Sequence, residues 1–173
     1  YKVMENRMPF ARLIGKICDH PCESACVRQE CGGSIRISEL EKTVIDLGYM
    51  PPQKPLLLSK NKGSVAVIGG GLSGIVAATE LDKKGYKVTI FEKTDRLGGS
   101  LWSYAGKELE VTILEEELST IEKKGISVQY NAEISDDDLK DYYKNYDALY
   151  LGAGSWDKDY EINPHTFQAN DSS

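Results

Sequence analysis

A glycine-rich turn between an apolar run and a helical pattern constrains the fold of this chain more than any other feature. Gly69, Gly71 and Gly74 follow the apolar residues 65–68 at G-x-G-x-x-G spacing, and a second apolar run ends on Glu92, 23 residues after Gly69. Strand, glycine turn, helix, second strand and terminal acid together are typical of the fingerprint with which Rossmann-type domains bind dinucleotides. The chain is therefore expected to be α/β, with a parallel sheet around this turn.

The residues of this stretch each have a physical reason to be there. Gly69 allows a tight turn, Gly71 lets a pyrophosphate approach the backbone, and Gly74 lets the helix lie close to the sheet. The helix dipole and the free N–H groups at the helix start favour an anion there. Glu92, at the end of the second strand, is placed to accept hydrogen bonds from ribose hydroxyls. The N–H groups that would face the anion belong to Leu72, Ser73 and Gly74.

Composition restricts the class of protein further. The 173 residues suffice for one full domain and a small one, and 40% hydrophobic and 28% charged residues are ordinary for a globular protein. A net charge of −6 argues against nucleic acid as the main partner. No apolar run approaches the ~20 residues that a membrane span needs. A cytoplasmic protein is expected, and because the first residue is Tyr1, we expect a piece of a longer one.

All four cysteines lie within one short segment, as Cys18, Cys22, Cys26 and Cys31. A helix that begins at Pro21 would place Cys22 and Cys26 on one face. The C-x3-C-x3-C-x4-C spacing lacks the C-x2-C of zinc knuckles, and nothing else suggests the oxidising compartment that disulfides require. Thiolates hold iron–sulfur clusters, so the spacing favours a cluster, with zinc and reduced structural thiols as alternatives.

The remaining patterns give the order of the elements. Ser38, with Glu41 three residues later, predicts a helix with a capping box near the cysteines. After the fingerprint, the apolar patterns predict helices over 108–124 and from Ser135, and strands over 126–130 and 147–151. A strand order of 3-2-1-4 would bring residues 152–154 to the ligand crevice, beside the first glycine turn.

These elements divide the chain into four segments. Residues 1–47 are expected to form a helical, cysteine-rich domain, and the proline-containing residues 48–63 an extended linker. Residues 64–155 are expected to form an incomplete Rossmann-type domain, and the polar residues 156–173 a loose tail.

Five segments of the chain match one family in order and spacing. They are GKICDHPCESAC (15–26), IRISELEK (35–42), VAVIGGGLSGIVAATEL (65–81), FEKTDRLGGSLWSYAG (91–106) and YDALYLGAG (146–154). They resemble the small (beta) subunit family of NADPH-dependent glutamate synthase, to which the amino-terminal half of dihydropyrimidine dehydrogenase is similar. The resemblance implies a helical iron–sulfur domain followed by an FAD-binding Rossmann-type domain.

The resemblance also implies a role for each matching residue. The first glycine turn would hold the FAD pyrophosphate, Glu92 the adenosine ribose, and the backbone of Ile134 the adenine, while the loop after Glu92 would line the pyrophosphate and the flavin. The implied FAD-binding residues are Gly69, Gly71, Leu72, Ser73, Gly74, Glu92, Lys93, Arg96, Gly98, Gly99, Leu101, Ile134, Gly152, Ala153 and Gly154. Cys18, Cys22 and Cys26 match the family's cluster cysteines.

The chain departs from the family pattern in three places. In the family, a further cysteine group upstream shares two 4Fe–4S clusters with this one, so Cys18 and Cys22 would join an upstream thiol and the Glu41 side chain, and Cys26 would serve the other cluster. Cys31 lies outside that pattern and either completes a local site or is a bystander. The stretch AGKELEV lacks the family's proline-containing segment. The NADPH-binding domain and the segment that completes the FAD site lie beyond the chain, so weak or lost flavin binding is expected.

The resemblance implies an oxidoreductase that passes electrons between NAD(P)H, FAD and iron–sulfur clusters, with a partner redox subunit or domain. This chain alone is expected to be inactive, and no residue stands out as a general acid or base. Two alternatives stay open: a non-catalytic electron-transfer or docking module of a larger complex, and an NAD(P)-binding Rossmann domain with a zinc module.

Overall fold

The computed structural model describes residues 1–50 and 60–154, together with two short strands at 161–162 and 169–170. The core of the predicted linker, residues 51–59, and the rest of the predicted tail lie outside the described residues. No described helix is long and apolar enough to cross a lipid bilayer.

The described elements between residues 1 and 50 are all helices or 3₁₀ turns. The helices are α1 (Lys2–Arg7), α2 (Ala11–Ile17), α3 (Pro21–Ser24), a 3₁₀ turn (Val27–Cys31) and α4 (Ile37–Gly48). The later residues alternate between strands and helices. These elements are β1 (Ser64–Ile68), α5 (Leu72–Lys83), β2 (Lys87–Phe91), a 3₁₀ turn (Gly99–Ser103), α6 (Val111–Lys123), β3 (Ser127–Gln129), α7 (Asp136–Asn145), β4 (Ala148–Leu151), β5 (Glu161–Ile162) and β6 (Ala169–Asn170).

The main sheet has the order β3-β2-β1-β4, and every pair in it is parallel. Val67 of β1 lies opposite Ile90 of β2 on one side and Tyr150 of β4 on the other. This confirms the predicted strand order and the Rossmann-type α/β class. β5 and β6 form a separate antiparallel pair.

Alternation along the strands divides the core between the two faces of the sheet. Val67 and Ile90 face a large apolar cluster with α5 and α6, in which both residues have no exposed surface. The neighbouring residues Ile68 and Phe91 face a smaller cluster with α7, where Phe91 stacks on Tyr142 with ring centroids 4.5 Å apart. Side chains of a strand point alternately to the two faces, and helices on both faces of a parallel sheet follow from that pattern.

The helical segment packs onto the same core. Leu13 of α2 is fully buried in the cluster that contains β1 and α6. Arg12 donates from Nη1 to the carboxylates of Glu116 at 3.0 Å and Glu117 at 3.2 Å, and its guanidinium lies 3.9 Å from the centre of the Tyr49 ring. Apolar burial and ion pairs therefore join α2 to α6.

Two helix predictions near the cysteines are wrong in detail. α3 ends at Ser24, so Cys26 is not on its face with Cys22; the Ser24 hydroxyl donates to the Pro21 carbonyl at 2.9 Å, and Cys26 is extended. Hydroxyls that bond nearby carbonyls compete with helix propagation.

The second error concerns the start of α4, which begins at Ile37 without the predicted capping box. The Ser38 N–H donates to Oε1 of Glu23 at 2.7 Å. A carboxylate from α3 thus satisfies the helix start, and the hydroxyl of Ser38 is not needed as a cap.

Candidate dinucleotide site

Two glycine turns meet at the carboxyl ends of β1 and β4. The Gly69 N–H donates to the Phe91 carbonyl and the Gly152 N–H to the Ile68 carbonyl, both at 2.8 Å. A Cβ on Gly69 would overlap the Gly152 carbonyl oxygen, and a Cβ on Gly74 would overlap the Gly69 carbonyl oxygen. Direct contact between backbones is the reason for glycine at these positions, and it places the first and third glycine turns side by side, as predicted.

The loop after β2 brings a second glycine pair onto the same turn. The Gly98 N–H donates to the Gly70 carbonyl at 2.8 Å. A Cβ on Gly99 would lie 3.1 Å from the Cα of Gly71. Gly98 and Gly99 have φ values of 110° and 51°, a region that favours glycine. The structure therefore brings these predicted site residues together with the first glycine turn.

The space at Gly71 is open. A Cβ on this residue would have no heavy atom within 4 Å, although its backbone (φ −71°, ψ −177°) is one that any residue adopts. Gly71 is the N-cap of α5, a helix of 12 residues, and the N–H groups of Leu72, Ser73 and Gly74 follow it. The first N–H groups of a helix have no partner within the helix, and the dipole favours an anion there. The geometry fits a pyrophosphate.

Glu92 is a buried carboxylate beside this turn, with 5% of its surface exposed. Its Oε2 accepts from the Gly70 N–H at 2.7 Å, and its Oε1 accepts from the Thr94 N–H at 2.9 Å and hydroxyl at 2.8 Å. Burial opposes ionisation, but the hydrogen bonds from Thr94 and Gly70 outweigh it, so the pKa of Glu92 is lowered. An ionised carboxylate offers about four acceptor positions, which leaves about one for a ribose hydroxyl.

The other predicted residues of the loop after β2 differ in their exposure and in their contacts. Lys93 and Arg96 are exposed, and the Arg96 guanidinium lies 4.1 Å from the centre of the Trp102 ring. The Trp102 indole in turn donates to the Leu97 carbonyl at 2.7 Å. The Leu101 side chain is in the core, with 2% exposed, so only its backbone is left to meet a ligand.

The loop after β3 lies along the end of β2. The Ala132 N–H donates to the Glu92 carbonyl and the Asn131 N–H to the Thr94 carbonyl, both at 2.9 Å. Ile134 follows and packs in the smaller apolar cluster. The predicted adenine residue is thus held close to the predicted ribose residue.

Three residues of the site were not predicted from the sequence. A Cβ on Gly70 would overlap the end of the Leu97 side chain and crowd Oε2 of Glu92, and the run of three glycines was a signal for it. Thr94 supplies two of the hydrogen bonds to Glu92. Tyr150, in the strand before the third glycine turn, has its hydroxyl 2.7 Å from the hydroxyl of Ser73. Ala153 and Gly154, which were predicted, are exposed at the end of that turn.

Unlike the glycine turns, the four cysteines are not brought together at one place in the described residues. Within residues 1–50 and 60–154, no three His, Cys, Asp or Glu side chains are grouped so that they could hold a metal ion. Cys22 and Cys31 are exposed, and Cys18 and Cys26 are half-buried. Backbone hydrogen bonds lower the pKa of the Cys26 thiol. The described residues therefore do not fit a self-contained cluster site of these four thiols.

Comparison with known proteins finds a matching family model and several similar proteins. The sequence model of a family described as an NAD(P)-binding Rossmann-like domain matches residues 67–145. The glutamate synthase (NADPH) small chain of Bacillus subtilis is 33% identical over 150 residues, which cover 84% of this chain and 30% of that protein. The NADPH-Fe(3+) oxidoreductase subunit beta of Geobacter sulfurreducens is 29% identical over 167 residues, covering 88% of this chain and 24% of that protein.

Part of the chain is similar to solved structures. Histamine dehydrogenase from Rhizobium sp. 4-9 is similar with a TM-score of 0.48 and 21% identity, over 69% of this chain and 19% of that one. The chain spans 30% of the length of the Bacillus relative and 24% of the Geobacter relative.

Proposed function

Because this chain is homologous to the glutamate synthase small chains over most of its length, we propose that it holds the ADP half of FAD in an NAD(P)H-dependent oxidoreductase. The open space at Gly71, at the start of α5 and beside the buried Glu92, is the observation that carries this proposal. A pyrophosphate there meets unpaired N–H groups, and the adjoining ribose meets a carboxylate.

The residues of this chain bind and orient the cofactor. The N–H groups of Leu72, Ser73 and Gly74 face the pyrophosphate, Glu92 accepts from the ribose, and the loop at Ile134 borders the adenine. FAD held by these residues would supply two-electron exchange with a nicotinamide and one-electron exchange with a redox partner. In the proposal, NAD(P)H binds outside this chain, and a partner redox subunit or domain takes the electrons.

For the iron–sulfur cluster, the proposal concerns three cysteines only. Cys18, Cys22 and Cys26 would each need donors from outside the described residues, because no three donors gather within them. Ligation of a 4Fe–4S cluster by these cysteines stays a prediction, as do the domain boundaries at residues 47, 63 and 155.

A second candidate is a nicotinamide dinucleotide at the same turn. The match of residues 67–145 to a family described as NAD(P)-binding favours it. Glu92 at the end of β2 would then bind the ribose of NAD and disfavour a 2′-phosphate.

Titration of the purified chain with ADP, FAD and NADH separates the two candidates. Amide NMR shifts report the affinity and the residues affected, even where binding is weak. We expect ADP and FAD to shift the amides of residues 71–74 at lower concentration than NADH does. Tighter binding of NADH than of FAD would favour the second candidate, and no shift at these amides with any of the three would contradict both.

A further inference from the structure

A hydroxyl pair lies at the start of α5, outside the set of residues that the fingerprint explains. The Tyr150 hydroxyl is 2.7 Å from Oγ of Ser73, the second residue of the helix. Ser73 is exposed, and 37% of the Tyr150 surface is exposed. The pair is therefore accessible to a ligand at the helix start.

The register of β4 directs Tyr150 to this place. Leu149 and Leu151 line a groove with α7, on one face of the sheet. Tyr150, between them in the strand, points to the opposite face, where α5 packs. A tyrosine at either neighbouring position would point away from the helix start.

The third glycine turn holds the ring against the helix. A Cβ on Gly152 would lie 3.2 Å from Cε1 of Tyr150 and 3.4 Å from the Gly74 amide nitrogen. The edge of the ring, the glycine turn and the first turn of α5 thus meet at one point. The ring lies beside the third glycine turn and the first turn of α5, with its hydroxyl within hydrogen-bond distance of Ser73.

The chemistry of the pair leaves one proton for a ligand. Two hydroxyls carry two protons, and the hydrogen bond between Ser73 and Tyr150 uses one of them. The remaining O–H is free to donate, at the end of a helix dipole that attracts anions. A hydroxyl that donates to an anionic oxygen makes a short, charge-assisted hydrogen bond.

We propose that Tyr150, paired with Ser73, is a binding residue for the dinucleotide pyrophosphate and supplies it with an O–H donor in addition to the backbone N–H groups. This inference rests on the proposed function, because it concerns the same ligand at the same turn. The alternative is that the pair only ties β4 to α5. The two differ in whether loss of the phenol hydroxyl changes the affinity for a pyrophosphate.

The test uses Tyr150→Phe and measures ADP affinity by amide NMR titration, with the thermal midpoint measured beside it. Removal of one ligand hydrogen bond is expected to weaken ADP binding roughly threefold to tenfold. Tyr143→Phe is the matched control, because Tyr143 is 80% exposed on α7 and loses the same atom away from the turn.

Ser73→Ala provides a second variant on an exposed residue, should Tyr150→Phe fold poorly. Because the two hydroxyls act through one hydrogen-bonded pair, the double variant is expected to lose less than the product of the two single losses.

The outcomes distinguish the inference from the function on which it rests. ADP binding by Tyr150→Phe that equals that of wild type and of Tyr143→Phe overturns the inference and leaves the proposed function intact. A lower thermal midpoint with unchanged ADP affinity assigns the pair a structural role only, which also overturns it. If ADP does not shift the amides of residues 71–74 in the wild-type chain, both are overturned.

Discussion

The carboxylate of Glu92 links the first glycine turn to the end of β2. One oxygen accepts from the Gly70 N–H, and the other accepts twice from Thr94. With 5% of its surface exposed, Glu92 both shapes the turn and faces a ribose in the proposed complex. A substitution at Glu92 is therefore expected to lower both the stability of the fold and the affinity for the ligand.

Replacement of Glu92 by glutamine tests this double role. A glutamine offers one acceptor oxygen, so its NH2 group must face either the Gly70 N–H or Thr94. We expect the free energy of unfolding to fall by about 1–3 kcal/mol, as for a buried donor left unpaired, and ADP affinity to fall with it. Denaturant unfolding and ADP titration measure the two effects. Glu133→Gln, at an exposed carboxylate in the loop after β3, is the control; equal behaviour of the two variants would contradict this role.

At the scale of elements, Asp147 joins the starts of two parallel strands. Its Oδ2 accepts from the Ser64 N–H at 2.7 Å and from the Ser64 hydroxyl at 2.9 Å. These two bonds lower the pKa of Asp147. β4 is thereby held in register beside β1, which is what carries Tyr150 and the third glycine turn to the site.

The lowered pKa of Asp147 predicts a pH dependence of stability. Since the folded state binds this proton less readily than the unfolded state, the stabilisation is complete above the unfolded pKa of about 3.9 and is lost as pH falls through the lower folded pKa. Asp147→Asn should remove that part of the acid sensitivity, and urea unfolding at a series of pH values measures it. Asp95→Asn, at an exposed aspartate, is the control. If the free energy of unfolding falls equally at low pH in Asp147→Asn and in wild type, the role of Asp147 is refuted.

Elements with a strong local pattern are the ones that the sequence predicts well. The alternation of apolar runs and glycine turns predicts the strand order, and Ser135 and Asp138 form a complete capping box at the predicted start of α7. The start of α4 is missed because a contact with Glu23, 15 residues away, determines it. Tyr150 is missed for the same reason, since its partner Ser73 is 77 residues distant.

At the scale of the whole molecule, the helical segment and the sheet share a hydrophobic core. Phe10 and Leu13 of the helical segment pack with Val67 of β1 and Leu114 of α6. The ion pairs from Arg12 to α6 lie at the edge of this contact. The two parts are therefore expected to unfold together rather than one after the other.

Leu13→Ala tests this coupling. Leu13 has no exposed surface, and truncation of a buried leucine costs about 2–5 kcal/mol. The loss should appear in one transition, with far-UV circular dichroism and tryptophan fluorescence falling at the same denaturant concentration. Val3→Ala, at a residue that is 79% exposed, should leave the transition unchanged. Two separate transitions in wild type, with only the first shifted by Leu13→Ala, would show that the core is not shared.

The first glycine turn is the proposed binding site for a pyrophosphate. Substitution of two glycines of that turn distinguishes an effect on ligand affinity from an effect on the stability of the fold. A Cβ on Gly74 would overlap the Gly69 carbonyl oxygen, so Gly74→Ala is expected to disrupt the turn itself. A Cβ on Gly71 would meet no protein atom within 4 Å and would project into the space proposed for the ligand.

The most direct measurement is therefore the ADP affinity of Gly71→Ala, with its unfolding free energy measured in the same buffer. We expect the unfolding free energy to stay within about 1 kcal/mol of wild type, because the backbone suits alanine and only the cap preference is lost. We expect ADP affinity to fall about tenfold or more, because the methyl group occupies the approach to the N–H groups. Wild-type ADP affinity in a stably folded Gly71→Ala chain would contradict the claim.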